Sequence, residues 1–439
     1  MINTAEVFLW GTRIGIIHQE DGVAYLSFEY DRDFLRSGIE LSPIKMPLNG
    51  RVYSFPELEG SAFHGAPGLI ADSLPDSFGN RVIERWLSEQ GRSISDFNAV
   101  DRLCYTGQLG MGALEYRPAH GPDIWKEESV DIAKMVEFAS DVLNDKKDQK
   151  LRIQDDPGYG QLIQLGTSAG GARAKALIAW NQDTGEIRSG QIDAGDGFEY
   201  WLMKFDGVKK NGDHELEDAI EYTRIEYAYS LMAKKAGIKM SDCRLWEENG
   251  RFHFMTKRFD RVGNQKIHMQ TFGALMHIDY NLPGQSSYEE AADITMRLTN
   301  SASSVEELYR RMVFNVLLVN QDDHVKNIAF LMDRKGKWKL APAYDLTFAY
   351  NLENRWLRAH QMRVNGKTSD ITYDDLIESG KSMGIAARKC AGIIQTVNSV
   401  KEEYTSFMKD AGVSAKTAKT LLSILQKRLV RRLETKHDL

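Results

Sequence analysis

The sequence runs to 439 residues, with 42% hydrophobic and 27% charged side chains and a formal net charge of −6. That length suits about two or three globular domains, and the composition is that of an ordinary folded chain, not a disordered or fibrous one. A mildly acidic total argues against a chain that coats nucleic acid by itself. Cys104, Cys243 and Cys390 are too few and too far apart for a disulfide framework or a CxxC zinc site, which fits a reducing cytoplasm. The N-terminal residues carry neither a basic nor a long apolar region of the signal-peptide kind. No stretch reaches the ~18 uninterrupted apolar residues of a membrane span, so the expected location is cytoplasmic.

The first elements are strands. Val7 and Leu9, then Ile14 and Ile16, alternate on either side of Gly11 and predict a β-hairpin, with a further short strand at Val23–Phe28. Leu74–Pro75–Asp76–Ser77 reads as a turn and N-cap ahead of a helix near Asn80–Gln90, where Val82, Ile83, Trp86 and Leu87 recur at helical spacing. Cys104–Pro118 is glycine-rich and ends in a strand-like run, so residues 1–120 read as one mixed module. Residues 121–160 read as a connector, with a helix at Val130–Leu143 and a charged run at Asn144–Asp156. Beyond it, strands are expected at Leu162–Leu165, Ala176–Trp180 and Tyr200–Phe205, a helix at Asp218–Lys235, and strands at Arg244–Glu247 and Phe252–Lys257. After Phe259 the pattern is mostly helical, except for a hairpin at Ile328–Leu340 turned by Asp333–Gly336. A β-rich lobe over 161–260 followed by an α-rich lobe over 261–439 is the expected outline, and a ligand fits naturally between two such lobes.

Five segments carry candidate chemistry. Asn320–Asn327 is polar except for Val325 and follows a helix predicted at Val305–Val319, capped by Ser304, with Glu306 and Glu307 in its first turn. Its Asp322-x-x-x-x-Asn327 spacing suits a phosphoryl-transfer loop, the Asp accepting the proton of an attacking hydroxyl and the Asn oxygen ligating magnesium. Asp345, in Pro342–Leu346, would add a carboxylate to that hard-oxygen donor set; a turn Asp capping the next helix is the plain alternative. Gly170 and Gly171, followed by Ala172, Arg173, Ala174 and Lys175, permit close backbone approach to phosphate oxygens, although a glycine hairpin turn would read the same way.

Lys204 lies inside an apolar strand, where an unpaired ammonium is costly. Glu226 on the next helix is its expected partner and Glu221 the second choice; the plain alternative is an edge-strand lysine pointing to water. Finally, Lys257, Arg258 and Phe259 sit on a strand leaving the first lobe, where backbone groups can meet an adenine edge. Glycine loop, strand Lys, helix Glu, linker strand, Asp-x-x-x-x-Asn and Asp follow one another in the order of a protein-kinase-like two-lobed phosphotransferase. The expected class is α+β, with a β-rich N-lobe, an α-helical C-lobe and an additional N-terminal α/β subdomain.

TSAGGARAK, WLMKF, KRFDR, NQDDHVKN and LAPAYDL together resemble the HipA family of bacterial serine/threonine kinases, toxins of type II toxin–antitoxin modules, from about residue 160 to 439. The LPDS and GQLGMGALEYRP segments resemble the family's N-terminal part more loosely. The resemblance implies ATP and Mg2+ as cofactors, Asp322 as catalytic base, Asn327 and Asp345 as metal ligands, and Lys204 as the phosphate-binding lysine. It further implies Gly170–Lys175 as the nucleotide loop, Lys257–Phe259 at the adenine, and His324, Lys326 and Tyr344 in ATP-contacting stretches. Ser168 corresponds to an autophosphorylated serine, where about two added negative charges would compete with ATP.

Asp323 replaces a glycine found in some toxic members. The implied partners are a protein substrate, such as an aminoacyl-tRNA synthetase or another translation component, and a HipB-like antitoxin. The antitoxin would carry any DNA contact, since no helix-turn-helix is recognisable in this chain. The implied outcome is growth arrest or persistence. A small-molecule or lipid kinase on the same scaffold is the alternative, and a non-catalytic nucleotide-holding partner of a transcription factor the third reading.

Overall fold

A computed structural model describes residues 1–58, 60, 62–119, 131–143, 173–191, 193–208 and 221–433. Strands β1 (Thr4–Leu9) and β2 (Thr12–His18) form the expected hairpin, turned at Trp10 and Gly11, both of which have positive φ. The alternation is broken within it. Val7 pairs Gly15 and Phe8 pairs Arg13, so Ile14 is a bulged extra residue. Ile17 therefore takes the buried place that simple alternation gives to Ile16, which is 40% exposed.

β3 spans Ser27–Tyr30, not Val23–Phe28. The earlier residues are held in a turn, with the Val23 N–H donating to Glu20 O and the Leu26 N–H to Gly65 O. β4 (Val52–Ser54) and helices α1 (Gly68–Ala71), α2 (Ser77–Glu89) and α3 (Ala99–Thr106) follow. β5 (Leu114–Arg117) returns to β1, giving the antiparallel order β4-β3-β2-β1-β5. Asp76 caps α2 by accepting the Gly79 N–H at 2.6 Å.

α4 (Ile132–Leu143) lies in the stretch read as a connector; the charged run after it and the strand expected at Leu162–Leu165 lie outside the described residues. A second antiparallel sheet, β7-β6-β8-β10-β9, is built from β6 (Lys175–Asn181), β7 (Ile187–Ser189), β8 (Phe198–Lys204), β9 (Cys243–Glu248) and β10 (Arg251–Lys257). Helix α5 (Tyr222–Lys235) stands between β8 and β9 in sequence. Phe78, Val82 and Ile83 of α2 and Met135, Val136 and Ala139 of α4 share one buried cluster with Ala176, Ile178, Trp201 and Met203 of this sheet. Helices from the first third of the chain thus build the core of the second sheet.

The chain beyond Phe259 is less purely helical than its pattern suggests. β11 (Arg261–Val262) and β12 (Gln265–Lys266) make a short ribbon. β13 (His268–Thr271) pairs with β14 (Ala329–Met332), which continues into β15 (Trp338–Leu340) as the expected hairpin around Asp333–Gly336. β13 escaped because His268–Met269–Gln270–Thr271 buries His268 and Gln270, which no apolar alternation reveals. Helices α6 (Phe272–Met276), α7 (Tyr288–Thr299) and α8 (Ala302–Leu317) lie between β13 and β14. α8 starts earlier than predicted, because Ser301 rather than Ser304 is its cap; Ser304 supplies the N–H that Ser301 Oγ accepts, at 3.2 Å. Helices α9 (Tyr373–Ser382), α10 (Ala387–Ser399), α11 (Tyr404–Asp410) and α12 (Ala415–Leu433) close the chain.

The largest apolar cluster runs from the first sheet, through α1 and α3, into α5, α7, α8 and the terminal helices. Among the described residues no helix is long and apolar enough to cross a membrane. At the seam between α1 and α6 the Gly68 N–H donates to His277 Nε2 at 3.0 Å, and a Cβ on Gly68 would run into Ala274 O. Gly68→Ala is therefore expected to lower stability by about 1–3 kcal/mol, the usual cost of overpacking. Gly392→Ala in α10, where a Cβ meets open space, should be neutral or stabilising, and thermal unfolding of the two variants checks the contrast.

Candidate active site

α8 delivers the polar octet. Its last turns are buried, and the chain reverses at Val319, a β-branched residue at φ 57° whose strain is held by hydrogen bonds on both sides. The Ala349 N–H donates to Val319 O and the Gln321 N–H to Ala349 O. Within the octet Asn327 Nδ2 donates to the Asp322 main-chain oxygen at 2.8 Å, which ties the two ends of the Asp-x-x-x-x-Asn spacing together. That donation uses the amide nitrogen and leaves the Asn327 oxygen for a ligand. The Asp322 side chain is exposed.

Lys204, the last residue of β8, is not an edge-strand lysine in water. Its ammonium donates to Glu226 Oε1 at 2.7 Å and to Asp345 Oδ1. Burial works against the Lys204 charge, but Asp345 and then Glu226 outweigh it and hold the ammonium above the usual lysine range. Burial likewise opposes the Asp345 carboxylate, and Lys204 followed by Lys175 and His324 overrides it, keeping Asp345 well below the usual carboxylate range. The Asp345 side chain remains 41% exposed, so part of that attraction is screened by water. It caps no helix: Asp345 has φ 57°, and the next helix starts at Tyr373. Glu221, the second choice for Lys204, points elsewhere and accepts the Ser414 N–H and hydroxyl at the start of α12.

Of the glycine-loop residues, Gly170, Gly171, Ala172 and the Ser168 beside them lie outside the described residues. The Arg173 guanidinium lies 4.2 Å from the centre of the Tyr222 ring, and Ala174 is buried. Lys175 sits directly opposite Lys204 in the β6–β8 ladder and is ion-paired with Asp76 at 3.0 Å. On the linker strand, Lys257 pairs with Glu199 at 2.5 Å, and Phe259 lies 5.6 Å ring to ring from Tyr344. Arg258 does not bring its side chain to the groove. Its guanidinium grips Asp260 through two bonds of 2.9 and 2.8 Å and donates to Gly190 O, all of it buried. Tyr344 donates to Lys326 O at 2.5 Å, and Lys326 and His324 both approach the Tyr280 ring.

Asn320, His324, Asn327, Tyr344 and Asp345 line one groove. Asp323, seen in the sequence only as a replacement for glycine, lines the groove too, buried and held by several partners. It accepts from the Tyr288 hydroxyl at 2.9 Å, from the Gln361 N–H at 2.8 Å, and contacts His360 Nδ1 at 2.9 Å. Tyr288 in turn accepts from Asn315 Nδ2, and Asn320 Nδ2 donates to Asn315 Oδ1. This network fixes the octet against the 354–361 segment. The only sequence signal for it was the density of polar residues in the octet.

Among the described residues, Asn320 Oδ1, His324 Nδ1 and Glu226 Oε2 are buried with no hydrogen-bond partner, so polar capacity is left over around the groove. No group of three or more His, Cys, Asp or Glu among the described residues is placed to hold a metal ion by itself. One carboxylate and one amide oxygen, Asp345 and Asn327, fit a hard cation that keeps most of its water, as magnesium does, and do not fit an all-protein zinc site.

Residues 167–404 match the family described as the HipA-like C-terminal domain, and residues 5–117 match the HipA N-terminal domain. The chain belongs to the HipA family. A Haemophilus influenzae protein named "Putative kinase" is 27% identical over 262 residues, which span 50% of this chain and 76% of that protein. "Putative kinase Y4dM" of Sinorhizobium fredii is 22% identical over 236 residues, 50% of this chain and about half (55%) of that relative's length. Among solved structures, the Shewanella oneidensis MR-1 toxin–antitoxin complex of HipA, HipB and operator DNA contains a chain that superposes with a TM-score of 0.67. The two are 15% identical, over 97% of this chain and 96% of that one. At that identity the likeness speaks for the fold, and HipA-family membership supports a kinase-type function.

Proposed function

We propose that this protein is an ATP- and Mg2+-dependent serine/threonine protein kinase, with residues 161–260 as nucleotide-binding lobe and 261–439 as catalytic lobe. In this reading residues 1–120 form an N-terminal subdomain and 121–160 the connector. The observation that carries it is the Glu226–Lys204–Asp345 chain of charges beside a loop that ties Asp322 to Asn327. A strand lysine held by a helix glutamate is the arrangement that presents an ammonium to nucleotide phosphates.

Asn327 and Asp345 are the residues that would hold the metal ion, which when bound would supply positive charge against the phosphates. Lys204, kept cationic by its neighbours, orients the phosphates. Phe259 and Tyr344 supply flat apolar surface for a base, with backbone groups of 257–259 at its edge. Asp322, exposed to solvent, accepts the proton of the attacking hydroxyl. The protein's contribution is positioning and fixed charge rather than covalent chemistry. His324, Lys326 and the Gly170–Lys175 loop complete the nucleotide contacts, and Ser168 is the proposed autophosphorylation site.

The Shewanella HipA was solved with HipB and operator DNA. We read this chain too as partnered by a HipB-like antitoxin, with growth arrest by phosphorylation of a translation component as the outcome. Incubation with γ-labelled ATP, Mg2+ and cell lysate tests the reading. Label in protein bands, released as phosphoserine or phosphothreonine, is expected. Label confined to small molecules or lipids would replace it with the small-molecule alternative, and absence of Mg2+-dependent transfer would leave only a nucleotide-holding role.

A further inference from the structure

We infer that Asp76, at the cap of α2, is a positioning residue that holds Lys175 beside Lys204 as a paired phosphate cradle, so that the N-terminal part of the chain completes the nucleotide site. The inference rests on the kinase reading and adds to it a residue outside both proposed lobes.

The β6–β8 register sets Lys175 directly across from Lys204. Opposed residues of an antiparallel pair share a face, and two like charges there repel unless each has its own counter-charge. Lys204 has Glu226 and Asp345. Lys175 has Asp76, 3.0 Å away, in a pair whose side chains are only 3% and 8% exposed. At that burial an unpaired ammonium is costly, so the carboxylate fixes the place of Lys175.

Asp76 is itself fixed from two sides. Its Oδ1 accepts the Gly79 N–H, while Oδ2 meets Lys175. The helix it caps is anchored on the same sheet through Phe78, Val82 and Ile83 against Ala176, Ile178 and Met203. Cap, helix and strand therefore form one rigid bracket around the ammonium. Lys175 stands opposite Lys204, whose ammonium donates to Asp345 in the lining of the groove, which places it next to the site. A triphosphate entering there meets two ammonium groups, one braced by α5 and one by α2.

The test uses the full-length protein and Asp76→Asn, which preserves the cap because asparagine caps as well as aspartate, but removes the charge. Affinity for a fluorescent ATP analogue with Mg2+ is measured by titration, independently of turnover, and KM for ATP and kcat by phosphoryl transfer. Affinity is expected to weaken by about tenfold and KM to rise in step, with kcat at saturating ATP held within about twofold, the pattern of lost ground-state binding. Lys175→Met should weaken binding at least as much. Adding Asp76→Asn to Lys175→Met should change nothing further, and Asp76→Glu should recover most of the affinity.

Circular dichroism and thermal unfolding establish that each variant is folded; a merely structural role would move stability without the non-additivity between positions 76 and 175. The inference is overturned if Asp76→Asn binds the analogue as the parent does or more tightly, or if the two substitutions act additively. If the parent binds nucleotide yet transfers no phosphoryl group, the kinase reading falls while the binding comparison still decides the role of Asp76.

Discussion

Replacing Asp322 with Asn is expected to cut phosphoryl transfer by about a hundred- to ten-thousandfold, the range lost when a positioned proton acceptor is removed. The substitution is nearly isosteric and the side chain is exposed, so no buried pairing is broken. The tie that closes the octet runs from Asn327 Nδ2 to the Asp322 main-chain oxygen, which Asn supplies equally well. Folding and ATP affinity should therefore stay close to those of the parent, and the loss should appear in kcat.

Asp323 makes a useful contrast, although it is the adjacent carboxylate. Asp323→Asn weakens the grip on Tyr288, His360 and the Gln361 N–H, so its effect should appear in stability as well as in turnover. Measuring transfer rate, analogue binding and urea unfolding on both variants separates them. If Asp322→Asn kept full Mg2+-dependent labelling of protein while folded, the assignment of the base to this residue would be wrong.

How far the sequence speaks for this site depends on the range over which its signals act. The first hairpin was legible from alternation and Gly11, but the Ile14 bulge was not, because it arises from a pairing with β1 that no local pattern encodes. The partnership of Lys204 with Glu226 was readable because a strand lysine inside an apolar run needs a counter-charge, and the next helix offers only a few. The direct contact between Lys204 and Asp345 was not readable, since the two lie 141 residues apart, in β8 and in the loop after β15. Asp323 shows the sharpest limit. Four consecutive polar residues, Gln321 to His324, look interchangeable in a sequence. In the fold one is exposed to solvent and its neighbour is buried and accepts from the Tyr288 hydroxyl and the Gln361 N–H, because successive residues in an extended loop face opposite ways. Arg258 fails for a related reason: KRFDR marks a site by its motif, yet its first arginine serves the interior.

That interior role leads to the largest stability effect expected of a single substitution. Asp260 is buried at the centre of four donors: Arg258 through two bonds, Arg261 at 2.8 Å, and the Gly112 N–H at 2.8 Å. Arg261 also donates to Gly112 O and Gly110 O, and Lys266 to Gln108 O and Glu115, so the glycine-rich 107–117 segment is clamped to the linker strand. Asp260→Asn keeps the shape and removes the charge, leaving the guanidinium groups of Arg258 and Arg261 buried at 1% and 5% exposure without a counter-ion. Breaking a buried pair from one side costs about 3–5 kcal/mol, and urea unfolding at neutral pH should show a loss of that size.

The pH dependence follows from the same contacts. Burial opposes the Asp260 carboxylate, but Arg258 and then Arg261 outweigh it and hold its pKa far below the usual carboxylate range. A carboxylate depressed in the folded state contributes stability that is complete above its unfolded pKa, about 3.9, and is lost as pH falls below that value toward the folded pKa. The parent should therefore lose stability on acidification below about pH 4 more steeply than Asp260→Asn, which has already given up that contribution at neutral pH. Parallel acid-unfolding profiles for the two would make Asp260 a bystander and remove the clamp between the glycine-rich segment and the linker.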